Sequence, residues 1–195
     1  MKQVENISQV VLTAKREIEN CRRDLSPATE KSDDEKVELM RVYNPAMQVK
    51  YCSYPVRCMM GKAPTLAKVR KEYGTHTALD WLSVQINDYQ NYVAVKDDSE
   101  MPIEIQDEMA ALILEDYYYL KMTEIMLFFR WLKTGRYGEL YGRINPQTFF
   151  CKLREFVRER NDIIFHEENK RRLEEELLQA KKAITYSEWQ KMKQK

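Results

Sequence analysis

Glycine and proline are scarce, at five and six in 195 residues. Runs of β-branched residues are rare too, so the composition speaks against a turn-rich β-sandwich and against a Gly/Pro-rich disordered chain. Histidine is nearly missing (His76 and His166), and the four cysteines, Cys21, Cys52, Cys58 and Cys151, contain no C-x-x-C pair. Metal-ligand spacing is therefore lacking. Cys52 and Cys58 are near enough in sequence to meet, but reduced thiols are the expectation. No apolar run approaches the roughly 20 residues that a bilayer demands. The opening Met1-Lys2-Gln3-Val4-Glu5 has no apolar signal region. These absences predict a cytoplasmic protein with no membrane contact and no cofactor.

Catalytic patterns are missing as well. No serine, histidine and acid are grouped, and no glycine-rich phosphate loop follows a strand. Glu104, Asp107, Glu108, Glu115 and Asp116 lie on one segment, yet neither histidine falls three residues after a glutamate on a core face, as a di-iron bundle requires. The expectation is a protein that is not an enzyme.

What is abundant favours helix. Glu, Lys, Leu, Met and Gln are plentiful, 44% of residues are hydrophobic and 32% are charged. The predicted fold is all-α, a multi-helix bundle with a long, partly exposed C-terminal helix. The expected organisation is N-terminal helices and a polar linker over 1–43, a helical core over 44–165, and a charged extension with a basic tail over 166–195.

The densest apolar stretch lies between Tyr117 and Phe165. Thr123 is a candidate N-cap, and Ile125, Met126, Phe128, Phe129 and Leu132 cover most of a short helix, which predicts burial on all sides. Gly135 stands where a left-handed residue ends that helix. Asn145-Pro146 signals the next start, with Phe149, Leu153, Phe156 and Ile163 at helical spacing. Between them, Gly135 to Ile144 reads either as an exposed loop able to grip phosphates or as a tight corner of packed tyrosines.

Earlier in the chain, Val4, Ile7, Val10, Val11, Ala14 and Ile18 predict a helix over 4–23. A short helix from Asp34 to Val42 follows, then an irregular segment reaching Pro64. A helix capped by Thr65 and closed by Gly74 comes next, and a longer one buries Trp81, Leu82, Ile86 and Tyr89. That pair reads as a helix-turn-helix or as a plain hairpin. A helix from Ile103 to Leu120 ends in a tyrosine collar, Tyr117 to Tyr119. Beyond Phe165, Leu173, Leu177, Ala180 and Ile184 fit a brief coiled-coil seam on an otherwise charged helix. This is either a solvated extension or a dimer zipper. Thr185 to Ser187 breaks it.

Charge is balanced overall at +1 but polarised along the chain. Asp97 to Asp116 holds eight acidic and no basic residues, whereas Arg130 to Arg160 holds eight basic against three acidic.

The blocks LILEDYYYLKMTEIMLFFRWLKTGRYGELYGRINP and GKAPTLAKVRKEYG resemble an uncharacterised family of small helical proteins from Bacteroidetes genomes and their phages or mobile elements. The likeness covers roughly residues 59–165. It implies a genomic setting, but no activity and no catalytic residues. Asn145 stands where an Asp is expected in relatives, and both cap helices.

Two functional expectations follow. The first is a nucleic-acid-associated accessory protein, of a replication or helicase-loading type, contacting DNA through Arg136, Tyr137, Arg143, Arg154 and Arg158, with Lys68, Arg70 and Lys71 second. The second is a protein-interaction module that engages a helical or basic partner, or a second copy, through the acidic 97–116 helix or the 166–184 helix.

Overall fold

The computed structural model describes residues 30–93, 101–138, 144–182 and 186–193. The predicted helix over 4–23, Cys21 and Arg143 lie outside them. Among the described residues the architecture is all-α, with nine α-helices and no strand. In chain order they are α1 (Asp33–Val42), α2 (Gln48–Tyr51), α3 (Pro55–Met60), α4 (Leu66–Tyr73), α5 (Thr75–Val93), α6 (Ile103–Asp116), α7 (Met122–Lys133), α8 (Pro146–Lys182) and α9 (Tyr186–Lys193). A single 3-10 turn, Pro45–Met47, precedes α2. The segment expected to be irregular up to Pro64 thus holds two short helices, each started by a proline in the first turn or by the 3-10 turn before it.

Helix α7 is the axis of the body. Every residue from Met122 to Phe129, together with Trp131 and Leu132, is buried. Helices α2, α3 and α5 contact it, and α4 and α6 pack on α5. Helix α8 closes the remaining side through aromatic side chains. Phe128 meets Phe149 at 5.3 Å and Phe156 at 5.5 Å between ring centroids, and Trp131 meets Phe156 at 5.6 Å. Fully burying each such ring stabilises the fold by about 1.5–3 kcal/mol, and edge-on aromatic geometry adds to that.

The start of α7 differs from the sequence expectation. Lys121 holds the N-cap position, and the Glu124 carboxylate accepts its N–H at 2.7 Å. Thr123 lies inside the helix, where its hydroxyl donates to the Cys58 carbonyl at 2.7 Å. The Lys121 ammonium donates to the Met59 and Gly61 carbonyls at 2.6 and 2.8 Å, tying the end of α3 to the start of α7. A short antiparallel contact does the same for α4. Leu66 N–H donates to the Leu120 carbonyl at 2.9 Å and Met122 N–H to the Pro64 carbonyl at 3.0 Å. That strap stops α6 at Asp116, four residues earlier than its apolar pattern suggests, because the backbone from Tyr117 to Leu120 turns back to meet α4.

Other boundaries follow the sequence signals. Ser32 and Glu35 form a reciprocal capping box at α1. Asn145 Oδ1 accepts the Gln147 and Thr148 amides at 2.9 and 3.2 Å, with Pro146 at the first helical position. Gly135 follows α7 with φ 72°, the left-handed turn expected there.

Helix α8 is two things in one. Its first half is anchored in the core by Phe149, Leu153 and Phe156. Every residue from Arg171 to Ala180 is exposed, including Leu173, Leu177 and Leu178.

Candidate functional site

The residues singled out for nucleic acid fall in three places. Arg136 follows α7 and is engaged within the fold. Its guanidinium stacks on the Trp131 ring, 4.1 Å from the centroid, and pairs with Glu159 of α8. Tyr137 donates to the same carboxylate at 2.9 Å, and burial together with Glu159 pushes its phenol pKa up. Half-buried beside Phe128 and Trp131, Tyr137 packs as a corner residue. Arg143 lies outside the described residues.

Lys68, Arg70 and Lys71 share α4. Lys68 pairs with Glu72 at 3.7 Å, and Arg70 reaches Glu115 of α6 at 2.8 Å. Exposed pairs of this kind contribute about 0–1 kcal/mol and occupy the cations they hold. Lys71 has no ion-pair partner among the described residues. Arg154 and Arg158, one turn apart on α8, are exposed, and neither has a carboxylate partner among the described residues. Arg154 instead donates to the Cys151 thiol at 3.2 Å.

Arg154 also borders a groove of about 590 Å³ between α6 and α8, lined by Glu108, Leu112, Asp116, Tyr117 and Phe150. Its rim therefore carries both signs of charge. On the same flank, Arg160 of α8 lies over the Tyr119 ring at 5.9 Å and bonds Glu124 at 2.6 Å. Arg154 and the tyrosine turn thus share one flank of α8, while Arg136 and Tyr137 grip the other through Glu159.

A second concave surface has no counterpart among the expected residues. Between the 3-10 turn, α5 and α7 lies a cleft of about 680 Å³. Beneath it runs a chain of polar groups in which Gln48 and Gln85 are buried and Lys133 and Asp88 are partly exposed. Lys133 bonds Asp88 and donates to Gln48 Oε1 at 3.1 Å; Gln48 donates to Gln85 at 2.9 Å; Gln85 and Trp81 both donate to the Tyr43 carbonyl, at 3.1 and 2.8 Å. Gln48 and Gln85 are buried yet fully partnered, so this network fixes the floor without an orphan group. The walls carry exposed Val49, Val84 and Tyr92, the carboxamides of Asn44, Asn87 and Asn91, and the Arg130 guanidinium. Asn87 and Asn91 at i and i+4, like Arg130 and Lys133 at i and i+3, are legible as shared helix faces. Their meeting with residues 44–49 is a long-range contact that no local pattern encodes.

The buried cysteines do come together. Cys58 donates to the Tyr51 carbonyl at 3.3 Å, and the neighbouring Cys58 side chain and then burial push the Cys52 thiol up. Both are free thiols, as is exposed Cys151. Among the described residues no group of three or more His, Cys, Asp and Glu side chains is arranged to hold a metal ion, and no helix is long and apolar enough to cross a membrane.

The class these features define is an all-helical protein assembled round one buried helix, with a second helix running out from the body. Residues 100–195, the span of α6 to α9, match a family of unknown function, DUF6633. No curated protein and no solved structure matches the chain.

Proposed function

We propose that this chain is a non-catalytic helical accessory protein that acts by presenting the outer half of α8 to another helix. The observation that carries this reading is the exposure of Phe165, Leu173, Leu177 and Leu178 on a helix whose outer turns, from Arg171 to Ala180, are exposed at every residue. Four large apolar side chains held in water on one rigid element are a cost that burial against a partner removes. The phage or mobile-element setting implied by the sequence resemblance fits a small accessory factor of this kind.

The test is photo-crosslinking in cells with a benzophenone amino acid placed at Leu173, Leu177 or, as a control on another face, Glu175. Adducts are expected from Leu173 and Leu177 and to be much weaker from Glu175. An adduct of twice the chain mass identifies a second copy as the partner, and any other mass a different protein. The reading fails if all three positions give no adduct.

A second reading rests on a separate observation. Arg154, Arg158 and Lys71 are exposed cations without carboxylate partners among the described residues, and the exposed rings of Tyr118 and Tyr119 pack edge to face at 5.8 Å beside α8. Such a surface suits phosphate contact with base stacking. Binding of labelled single-stranded DNA is then expected to weaken steeply with salt and to drop in an Arg154→Ala/Arg158→Ala variant. Absence of binding at low salt would remove this reading.

A further inference from the structure

The cleft between the 3-10 turn, α5 and α7 is separate from the surface of α8 and carries its own chemistry. Three of its features decide what it fits. The first is the carboxamide pair Asn87 and Asn91. Both are exposed, line the cleft, and make no hydrogen bond within the described fold. Residues i and i+4 of a helix are separated by about 6 Å along its axis, and alternate residues of an extended chain by roughly 6.4–6.8 Å. Each carboxamide offers a donor and an acceptor, the complement of one peptide unit. Two of them at this spacing match alternate peptide units of an extended segment lying along α5.

The second feature is Arg130. It spends one N–H on the Val49 carbonyl at 3.3 Å, which leaves the rest of its five donors for a ligand. Lys133, the other cation of the cleft, is already neutralised by Asp88. The cleft therefore presents one unneutralised positive charge, enough for a carboxylate and too little for a polyphosphate strand. The third is the pair Val49 and Val84, 72% and 45% exposed, which give an apolar side chain a place beside that charge.

We infer that this cleft is a receptor for an extended peptide segment of another protein, carrying an Asp or Glu that Arg130 holds and an apolar residue two positions away. Main-chain recognition by Asn87 and Asn91 supplies the grip, and the Arg130–valine combination supplies the choice of sequence. The hydrogen-bonded Lys133–Gln48–Gln85 chain, with both glutamines buried, holds the floor in place, so little ordering is needed when the peptide arrives.

The test uses the full chain and a phage-displayed library of random nine-residue peptides, followed by fluorescence anisotropy of the selected peptides. Enrichment of an acidic residue spaced two positions from an apolar one is expected. An Asn87→Ala/Asn91→Ala variant should weaken binding at least tenfold with an unchanged thermal midpoint, because both side chains are exposed. Arg130→Gln should abolish the preference for acid while retaining weak binding. The inference is overturned if no peptide is selected, if the selected peptides lack the acid, or if affinity survives the double variant. It is also overturned if labelled oligo-dT binds in an Asn87- and Arg130-dependent way while peptides do not, which would assign the cleft to nucleic acid. These variants leave α8 untouched, so the outcome is independent of that helix's role.

Discussion

Glu124 is fully buried, and its carboxylate meets Arg160 at 2.6 Å and the Lys121 amide at 2.7 Å. Removing the arginine strands that charge in a low-dielectric interior. Arg160→Ala should therefore cost about 3–5 kcal/mol in urea unfolding, while replacing both partners with Gln and Met should recover much of the loss. A single-variant cost below about 1 kcal/mol would mean that water reaches Glu124. Tyr89 offers a different test. It is buried beside Phe129, and burial raises its phenol to about 12. The neutral form is favoured in the fold, so its contribution is intact below the unfolded value near 10 and is lost as pH climbs through 12. Stability measured at pH 9, 10.5 and 11.5 should fall across that window, and less steeply for Tyr89→Phe. Equal slopes for both proteins would show that other groups govern the alkaline limit.

Among elements, legibility followed the range of the interaction. Asn145-Pro146 and Gly135 set their boundaries through bonds within four residues, and both are read directly from the chain. Thr123 misleads for the same reason in reverse. It is a good cap by type, but the hydroxyl is used on the Cys58 carbonyl, 65 residues away, and Lys121 with Glu124 starts the helix instead. The arginines of α8 were legible as charges. That Arg136 would be held by Glu159 while Arg154 and Arg158 face water depends on where α8 crosses α7, which no local spacing reveals. The cleft lined by Asn87, Asn91 and Arg130 was hidden for the same reason. Because every residue from Arg171 to Ala180 is exposed, a chain ending at Phe165 should keep its thermal midpoint to within a few degrees. A drop of 10 °C or more, roughly 3–4 kcal/mol for a chain of this size, would show that the outer half of α8 or α9 rests on the body.

At the scale of the whole molecule, the net charge of +1 hides a segregation of acidic and basic stretches along the chain, so any recognition of charge is local to a particular surface. Two such surfaces exist on separate elements, the outer turns of α8 and the cleft between α5 and α7. They are joined through α7, whose far side receives Phe149 and Phe156 of α8 while its Arg130 and Lys133 line the cleft. Helix α8 spans 37 residues, about 55 Å of which roughly 27 Å, from Phe165 onward, stand clear of the aromatic joint. It is a lever whose last anchored turn carries Ile163 and Ile164, packed against the core. A change of five degrees in the seating of that turn would swing the free tip by roughly 2 Å, given a free arm of about 27 Å. A partner held at the tip, as proposed above, would therefore bear on the packing around α7, whose other side lines the cleft.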